Sequence, residues 1–135
     1  MSIAGFDHVA IPMQRVAEML AFYRRLGFRV EERNAPRYSV HFGPHKINLQ
    51  APEVWGDPAF TLRGPTAVPG CGDFCFVWSG SEAGLRDLLA KAGATVIEGP
   101  VPRLGARDTT EPSGTSYYIR DPDENLLEFM IYPES

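Results

Sequence analysis

A small set of polar side chains interrupts segments that are otherwise apolar, and their chemistry is that of metal ligands. His8 lies within Phe6-Asp7-His8-Val9-Ala10-Ile11, and Asn48 and Gln50 within Lys46-Ile47-Asn48-Leu49-Gln50. Asp73 heads Asp73-Phe74-Cys75-Phe76-Val77, and Glu128 sits inside Leu126-Leu127-Glu128-Phe129-Met130-Ile131. Imidazole, carboxylate and amide oxygen suit a hard or borderline divalent cation. Such a cation acts as a Lewis acid on whatever oxygen it holds. A carboxylate such as Glu128 then serves as base. Each residue also has a structural reading. His8 on a strand suits a hydrogen-bonded or exposed place. Asp73, after Cys71-Gly72, suits the turn that opens a strand, and Asn48 and Gln50 suit a solvated sheet face. Glu128 is harder to place, because a charge among Leu126, Leu127, Phe129, Met130 and Ile131 needs water, a partner or a metal. An antiparallel sheet with one wet face produces the same alternation without any site.

The elements that must position these residues repeat. Phe6 to Ile11 has strand character between Gly5 and Pro12. Val16, Met19, Leu20, Phe22, Tyr23 and Leu26 recur at three- and four-residue spacing, which predicts a helix over 15–26 with one buried stripe. Gly27 stops it, since a left-handed backbone is cheap for glycine. A strand follows over 28–32, then a hairpin of 38–42 and 46–50 around Gly43-Pro44-His45. The second half replays the order: a strand over 73–78, a helix over 82–92 with Leu85, Leu88 and Leu89 inward, Gly93 as its stop, a strand over 94–98, and a hairpin of 115–120 and 125–132. Strand parity places Val9 and Ile11, Ile47 and Leu49, Phe74 and Phe76, and Leu127 and Phe129 on faces that carry helices. The opposite faces collect His8, Asn48 or Gln50, Asp73 and Glu128. The expected class is α+β: paired βαβββ modules form a curved mixed sheet around a polar cavity, with helices on the outer face. Module one spans 1–51, a Pro- and Gly-rich linker 52–70 and module two 71–135, in a single domain. Residues 100–113 read as a second long loop, of the sort more often used as a binding lid.

Composition narrows the functional classes. With 135 residues, 44% of them hydrophobic and 22% charged, the chain has the make-up of one ordinary globular domain. Thirteen basic and 17 acidic residues give a net charge of −4, which offers no electrostatic footprint for nucleic acid. No secretory signal and no apolar run of membrane-spanning length is visible, so the expected location is the cytoplasm. Cys71 and Cys75 read as reduced structural residues, since four residues along one strand is too far for a disulfide. His41 and His45, on or beside the first hairpin, read as surface residues.

Gly5-Phe6-Asp7-His8-Val9-Ala10-Ile11, followed by Phe22-Tyr23-Arg24-Arg25-Leu26-Gly27-Phe28, resembles the opening of vicinal-oxygen-chelate proteins, the superfamily of glyoxalases, bleomycin-resistance proteins and extradiol dioxygenases. Tyr118-Ile119-Arg120-Asp121-Pro122-Asp123-Glu124-Asn125-Leu126-Leu127-Glu128 is similar to its closing hairpin, where Gly is usual at the place of Glu124. Phe42 to Gln50 further resembles the glyoxalase-domain-containing and bacterial virulence-protein branch. The resemblance implies a divalent metal (Ni, Zn, Mn or Fe), a small-molecule substrate that chelates it through neighbouring oxygens, and a homodimer. It places metal ligands at His8, Asp73 and Glu128, with Glu128 also the catalytic carboxylate. Counting from each hairpin proline puts the fourth at Gln50, whereas a hairpin two residues shorter puts it at Asn48. Asn48, Tyr118, Arg120 and Tyr132 stand where substrate contacts are expected, although Arg120 can equally pair with Asp121 or Asp123. Here the usual second histidine is an aspartate and the usual ligand near residue 50 is an amide. The lyase reaction on a glutathione hemithioacetal is the family's best-known chemistry. Extradiol dioxygenation fits less well with a single matching histidine. Metal-free sequestration of a drug, as in bleomycin-resistance proteins, is the alternative, with Trp55, Phe60 and Leu62 as candidate walls.

Overall fold

A computed structural model describes residues 1–107 and 114–133, arranged in two compact units, 1–71 and 72–135. The first unit contains β1 (His8–Pro12), α1 (Val16–Arg25), β2 (Arg29–Glu31), β3 (Arg37–Phe42), β4 (His45–Gln50) and a single turn of helix, α2 (Pro52–Trp55). The second contains β5 (Asp73–Val77), α3 (Glu82–Lys91), β6 (Glu98–Arg103), β7 (Gly114–Arg120) and β8 (Leu126–Ile131). Each unit carries one four-stranded mixed sheet, ordered β1-β4-β3-β2 and β5-β8-β7-β6, with β1 parallel to β4 and β5 parallel to β8. The α+β class and the repeated βαβββ order follow directly from the alternation and helical spacing of the sequence. No helix among the described residues is long and apolar enough to cross a membrane.

In the first unit the apolar face of the sheet holds Ile11, Val40, Ile47 and Leu49, all buried, and α1 contributes Met19, Leu20, Phe22 and Tyr23 to the core. An edge-to-face aromatic chain links helix to sheet: Phe22 to Tyr23 (5.8 Å), Tyr23 to Phe28 (5.3 Å) and Phe28 to Phe42 (5.6 Å). The second unit uses Phe76, Tyr117, Ile119, Leu127 and Phe129 with Leu85 and Leu89 of α3. Its helix is also pinned by polar contacts. Arg86 Nε donates to the Tyr117 hydroxyl at 2.8 Å, and that hydroxyl donates to Glu82. Ser81 caps α3 by accepting from the Gly84 N–H at 3.0 Å. Gly27 and Gly93 follow the two helices at φ of +93° and +74°, as their expected stopping role requires.

Two boundaries differ from expectation. The strand expected at 94–98 runs instead over Glu98–Arg103, so the expected loop begins later; its stretch 108–113 lies outside the described residues. The turn β7–β8 places Glu124 at φ +75°, which is the physical reason a glycine is the better resident there. Glu124→Gly is therefore expected to stabilise the chain by about 1 kcal/mol, reduced somewhat by the greater freedom of unfolded glycine. Thermal melting checks this, and the Arg120 Nη1 bond to the Glu124 carbonyl (3.1 Å) survives the change because it is made to backbone.

Candidate functional site

Register shows how each sheet displays its polar side chains. In the first unit His8, Lys46 and His41 form one row across β1, β4 and β3, and Ala10, Asn48 and Ser39 form the next. Gln50 lies further along, opposite Pro12 and Arg37. In the second unit Asp73, Leu126 and Arg120 form one row, and Cys75, Glu128 and Tyr118 the next. If His8 and Asp73 occupy equivalent places, the equivalent of Glu128 is Asn48, one row further along the same face. Counting from the prolines points to Gln50 only if the two turns are alike. They are not: Gly43 and Pro44 alone bridge β3 and β4, whereas residues 121–125 bridge β7 and β8.

The Glu128 carboxylate has a definite setting. It lies between Cys75 and Tyr118, and Ser116 Oγ, wholly buried, donates to its Oε2 at 2.6 Å. Although part of Cys75 meets solvent, burial of its thiol, reinforced by the Glu128 charge, pushes its pKa up to about 12. Cys75 is therefore a neutral thiol beside Glu128, not a thiolate ligand at neutral pH. On the Tyr118 side, Arg103 Nε donates to the phenol oxygen at 3.0 Å with the guanidinium 5.5 Å from the ring centroid. Arg103 and Ser116 escaped the sequence reading, Arg103 because it fell in an expected loop. Ser116 was findable, since it shares strand parity with Tyr118.

His8 is half-exposed and its Nδ1 lies 2.7 Å from Asp7 Oδ1. A ring that donates Nδ1–H to a carboxylate presents Nε2 as its lone-pair nitrogen, the arrangement that orients metal-binding histidines. The hydrogen bond from His8 holds the Asp7 carboxyl below its ordinary value. Asn48 and Gln50 line a shallow cavity of about 290 Å³ with Glu31, Arg37 and Ser39. Among the described residues no three His, Cys, Asp or Glu side chains stand together as a metal-holding group.

The remaining sequence candidates are placed as follows. Arg120 is exposed and donates from Nη1 to the Glu124 carbonyl of its own turn. Tyr132 lies under Arg107, 4.7 Å from ring centroid to guanidinium, and both line an open cavity of about 490 Å³ with Trp78 and Ser79. Trp55 donates to the Met13 carbonyl at 3.0 Å and carries Arg63 over its ring, Phe60 carries Arg37, and Leu62 is exposed. His41 and His45, expected at the surface, are half-buried. Burial, then the charges of Arg29 and Lys46, lower the His41 pKa.

Beside this face, Arg33 donates to Glu31 Oε1 from Nε (2.7 Å) and from its backbone N–H (3.1 Å), holding the Glu31 carboxyl at about 2. A depressed carboxyl contributes stability above its unfolded value of 4.5, and that contribution is lost as the pH falls through 2. Carboxyl NMR titration is expected to give a midpoint near 2 for Glu31, moving back towards 4.5 in Arg33→Ala.

A family model described as the glyoxalase/bleomycin resistance protein/dioxygenase superfamily matches residues 5–129. The chain is 34% identical over 135 residues to the glyoxalase domain-containing protein RDO1 of Mycosarcoma maydis, covering all of this chain and 72% of that protein. It is 33% identical over 133 residues to virulence protein STM3117 of Salmonella typhimurium, covering 98% and 87% of the two. The crystal structure of the latter superposes with a TM-score of 0.84 over 98% of this chain and 100% of that one. At 18% identity and a TM-score of 0.70, two further structures share the fold: a lactoylglutathione lyase from Agrobacterium tumefaciens, covering 96% of this chain and 95% of its own, and TnmS3, an antibiotic-binding protein from Streptomyces sp. CB03234, covering 98% and 99%.

Proposed function

Because this chain belongs to the glyoxalase/bleomycin resistance protein/dioxygenase superfamily, we propose that it is a glyoxalase-like metal-dependent enzyme of lyase or isomerase type. Its substrate is a small molecule that chelates a divalent cation through neighbouring oxygens. The observation that carries the reading is Glu128: a carboxylate on the polar face of the second sheet, oriented by a buried Ser116 hydroxyl and flanked by a neutral thiol and a phenol.

The proposed ligands are His8, Asp73 and Glu128, with an amide oxygen from Asn48 or Gln50. One imidazole, two carboxylates and an amide suit Ni, Zn, Mn or Fe. The register favours Asn48 as the amide. When bound, the cation supplies Lewis-acid polarisation of the substrate oxygens. The chain's own groups do the rest. Ser116 orients the Glu128 carboxylate by donating to Oε2, and that carboxylate is the group that would take up and return a proton. Tyr118, with its oxygen already accepting from Arg103, can donate its own proton to a substrate oxygen.

A second reading, metal-free binding of a ligand, is favoured by one feature: Glu128 already has a hydrogen-bond donor in Ser116, so its charge does not require a cation. Elemental analysis separates the two. Protein purified without added metal is expected to hold one equivalent, lost on treatment with a chelator and absent from His8→Ala and Glu128→Ala. Equal metal content in those variants, or none in the native protein, overturns the enzyme reading and leaves the binding reading standing.

A further inference from the structure

Arg103 has no part in the ligand set, yet it is fixed at three points in the second unit. Its Nε donates to the Tyr118 hydroxyl at 3.0 Å, its Nη1 donates to the Pro102 carbonyl at 2.9 Å, and its Nη2 lies 3.8 Å from Glu98. The guanidinium also stands 5.5 Å from the centre of the Tyr118 ring. Register does not place the two residues side by side: Arg103 is opposite Gly114, whereas Tyr118 is opposite Glu98. The arginine therefore reaches back along the sheet from a position whose partner has no side chain. Ordering so long a side chain costs up to about 2 kcal/mol. A partly exposed ion pair at 3.8 Å offsets little of that, so the directed bond to Tyr118 is what sets the place of the guanidinium.

Tyr118 in turn is paired with Glu128 across β7 and β8. Directly opposite residues of an antiparallel pair have Cβ atoms about 4.5–5.5 Å apart, so phenol and carboxylate can address one small substrate. A phenol has one hydrogen to donate and lone pairs that accept, whereas a guanidinium only donates. Arg103 therefore occupies an acceptor site of Tyr118 and leaves its hydrogen for another group. Among the described residues that hydrogen has no acceptor. Tyr117, buried on the opposite face, gives the contrast. It too accepts from an arginine, Arg86 at 2.8 Å, but its own hydrogen is committed to Glu82. The same arginine–tyrosine bond thus closes a network around Tyr117 and leaves Tyr118 with a donor to offer.

We propose that Arg103 is a positioning residue of the Glu128 site: it holds Tyr118 as a hydrogen-bond donor to a substrate oxygen and stabilises the negative charge that the phenol oxygen gains as it donates. The substrate oxygen so recognised is one that bears or develops negative charge, because a donor backed by a cation gains most from a charged acceptor. The inference rests on the reading of Glu128 as the reactive carboxylate beside a metal-chelating substrate.

Protein carrying the divalent ion it retains on purification is titrated by calorimetry with acetohydroxamate, an anion that chelates metals through two neighbouring oxygens. Affinity is expected to fall about tenfold or more in Tyr118→Phe, the loss of one charge-assisted hydrogen bond, and roughly three- to tenfold in Arg103→Ala. In the double variant it falls no further than in Tyr118→Phe alone, because Arg103 acts through the phenol. A purely structural role for Arg103 would persist in the Tyr118→Phe background. Arg103→Gln, which keeps bulk and drops the charge, is expected to match Arg103→Ala and takes its place if that variant unfolds. The two failures separate. Protein that holds no divalent ion overturns the metal reading and this inference with it. Protein that holds the ion but fails to bind acetohydroxamate, binds it equally with and without Arg103, or loses as much on Arg103→Ala with Tyr118→Phe as without it, overturns this inference alone.

Discussion

Asp121→Ala is expected to lower the stability of the chain by about 4 kcal/mol, which for a domain of this size is a fall of roughly 12–16 °C in melting temperature. Asp121 is 3% exposed and its two oxygens serve three donors: the N–H groups of Asp123 (3.0 Å) and Asn125 (2.9 Å) and the Asn125 side-chain amide (2.8 Å). Asn125, wholly buried, uses its own oxygen to accept from the Gly72 N–H at 2.8 Å, tying the turn between β7 and β8 to the start of β5. Removing the carboxylate strands buried donors, and each such orphan costs about 1–3 kcal/mol. Asp121→Asn keeps an acceptor and is expected to lose about half as much. An exposed acid provides the contrast. Asp87, paired with Lys91 at 2.8 Å on the surface of α3, should change stability by no more than about 0.5 kcal/mol when replaced by Ala. Equal losses at Asp121 and Asp87 would remove the turn network from the account of what holds the second unit together.

The second large effect falls on binding. Glu128→Gln preserves shape, and its amide oxygen can still accept from Ser116, but the charge and the basic oxygen are gone. On the proposed metal-dependent reading, affinity for a divalent ion is expected to fall by more than about 100-fold, beyond the 10–100-fold typical of groups that only orient a ligand. Turnover falls with it, because a neutral amide accepts no proton. Ser116→Ala isolates the orienting role, with an expected loss of about tenfold in metal affinity and a folded protein. Metal titration by calorimetry, run beside melting curves, separates these losses from unfolding. If Glu128→Gln and Ser116→Ala weaken binding equally, Glu128 is a positioning residue and not a ligand.

Much of this architecture is legible in the sequence for identifiable reasons. Helical spacing and the glycines at 27 and 93 mark both long helices to within a residue or so, and strand parity separates the core face from the polar face along β4, whereas Val9 on the expected core face is exposed and Met130 on the Glu128 face is buried. The displaced β6 shows where such reasoning gives way. Glu98-Gly99-Pro100-Val101-Pro102-Arg103 carries a glycine and two prolines, which argue against a strand. It is tolerated because β6 is the outermost strand of its sheet, where missing N–H donors leave no central ladder bond unmade. Asn48 and Gln50 could not be separated from the sequence because the choice depends on turn lengths, which two similarly placed prolines concealed. The Ser116–Glu128 bond and the Arg29–His41–Lys46 row are cross-strand facts: their members lie far apart in the chain, and only the register brings them side by side.

The most direct test of the proposed ligand set is X-ray absorption at the edge of whichever metal the purified protein retains. The account predicts one imidazole per metal ion, from His8, with the other near neighbours oxygen at about 2.0–2.2 Å and no sulfur at about 2.3 Å. Two or more imidazoles, or a sulfur shell from Cys75, would contradict it, as would protein that retains no metal to measure.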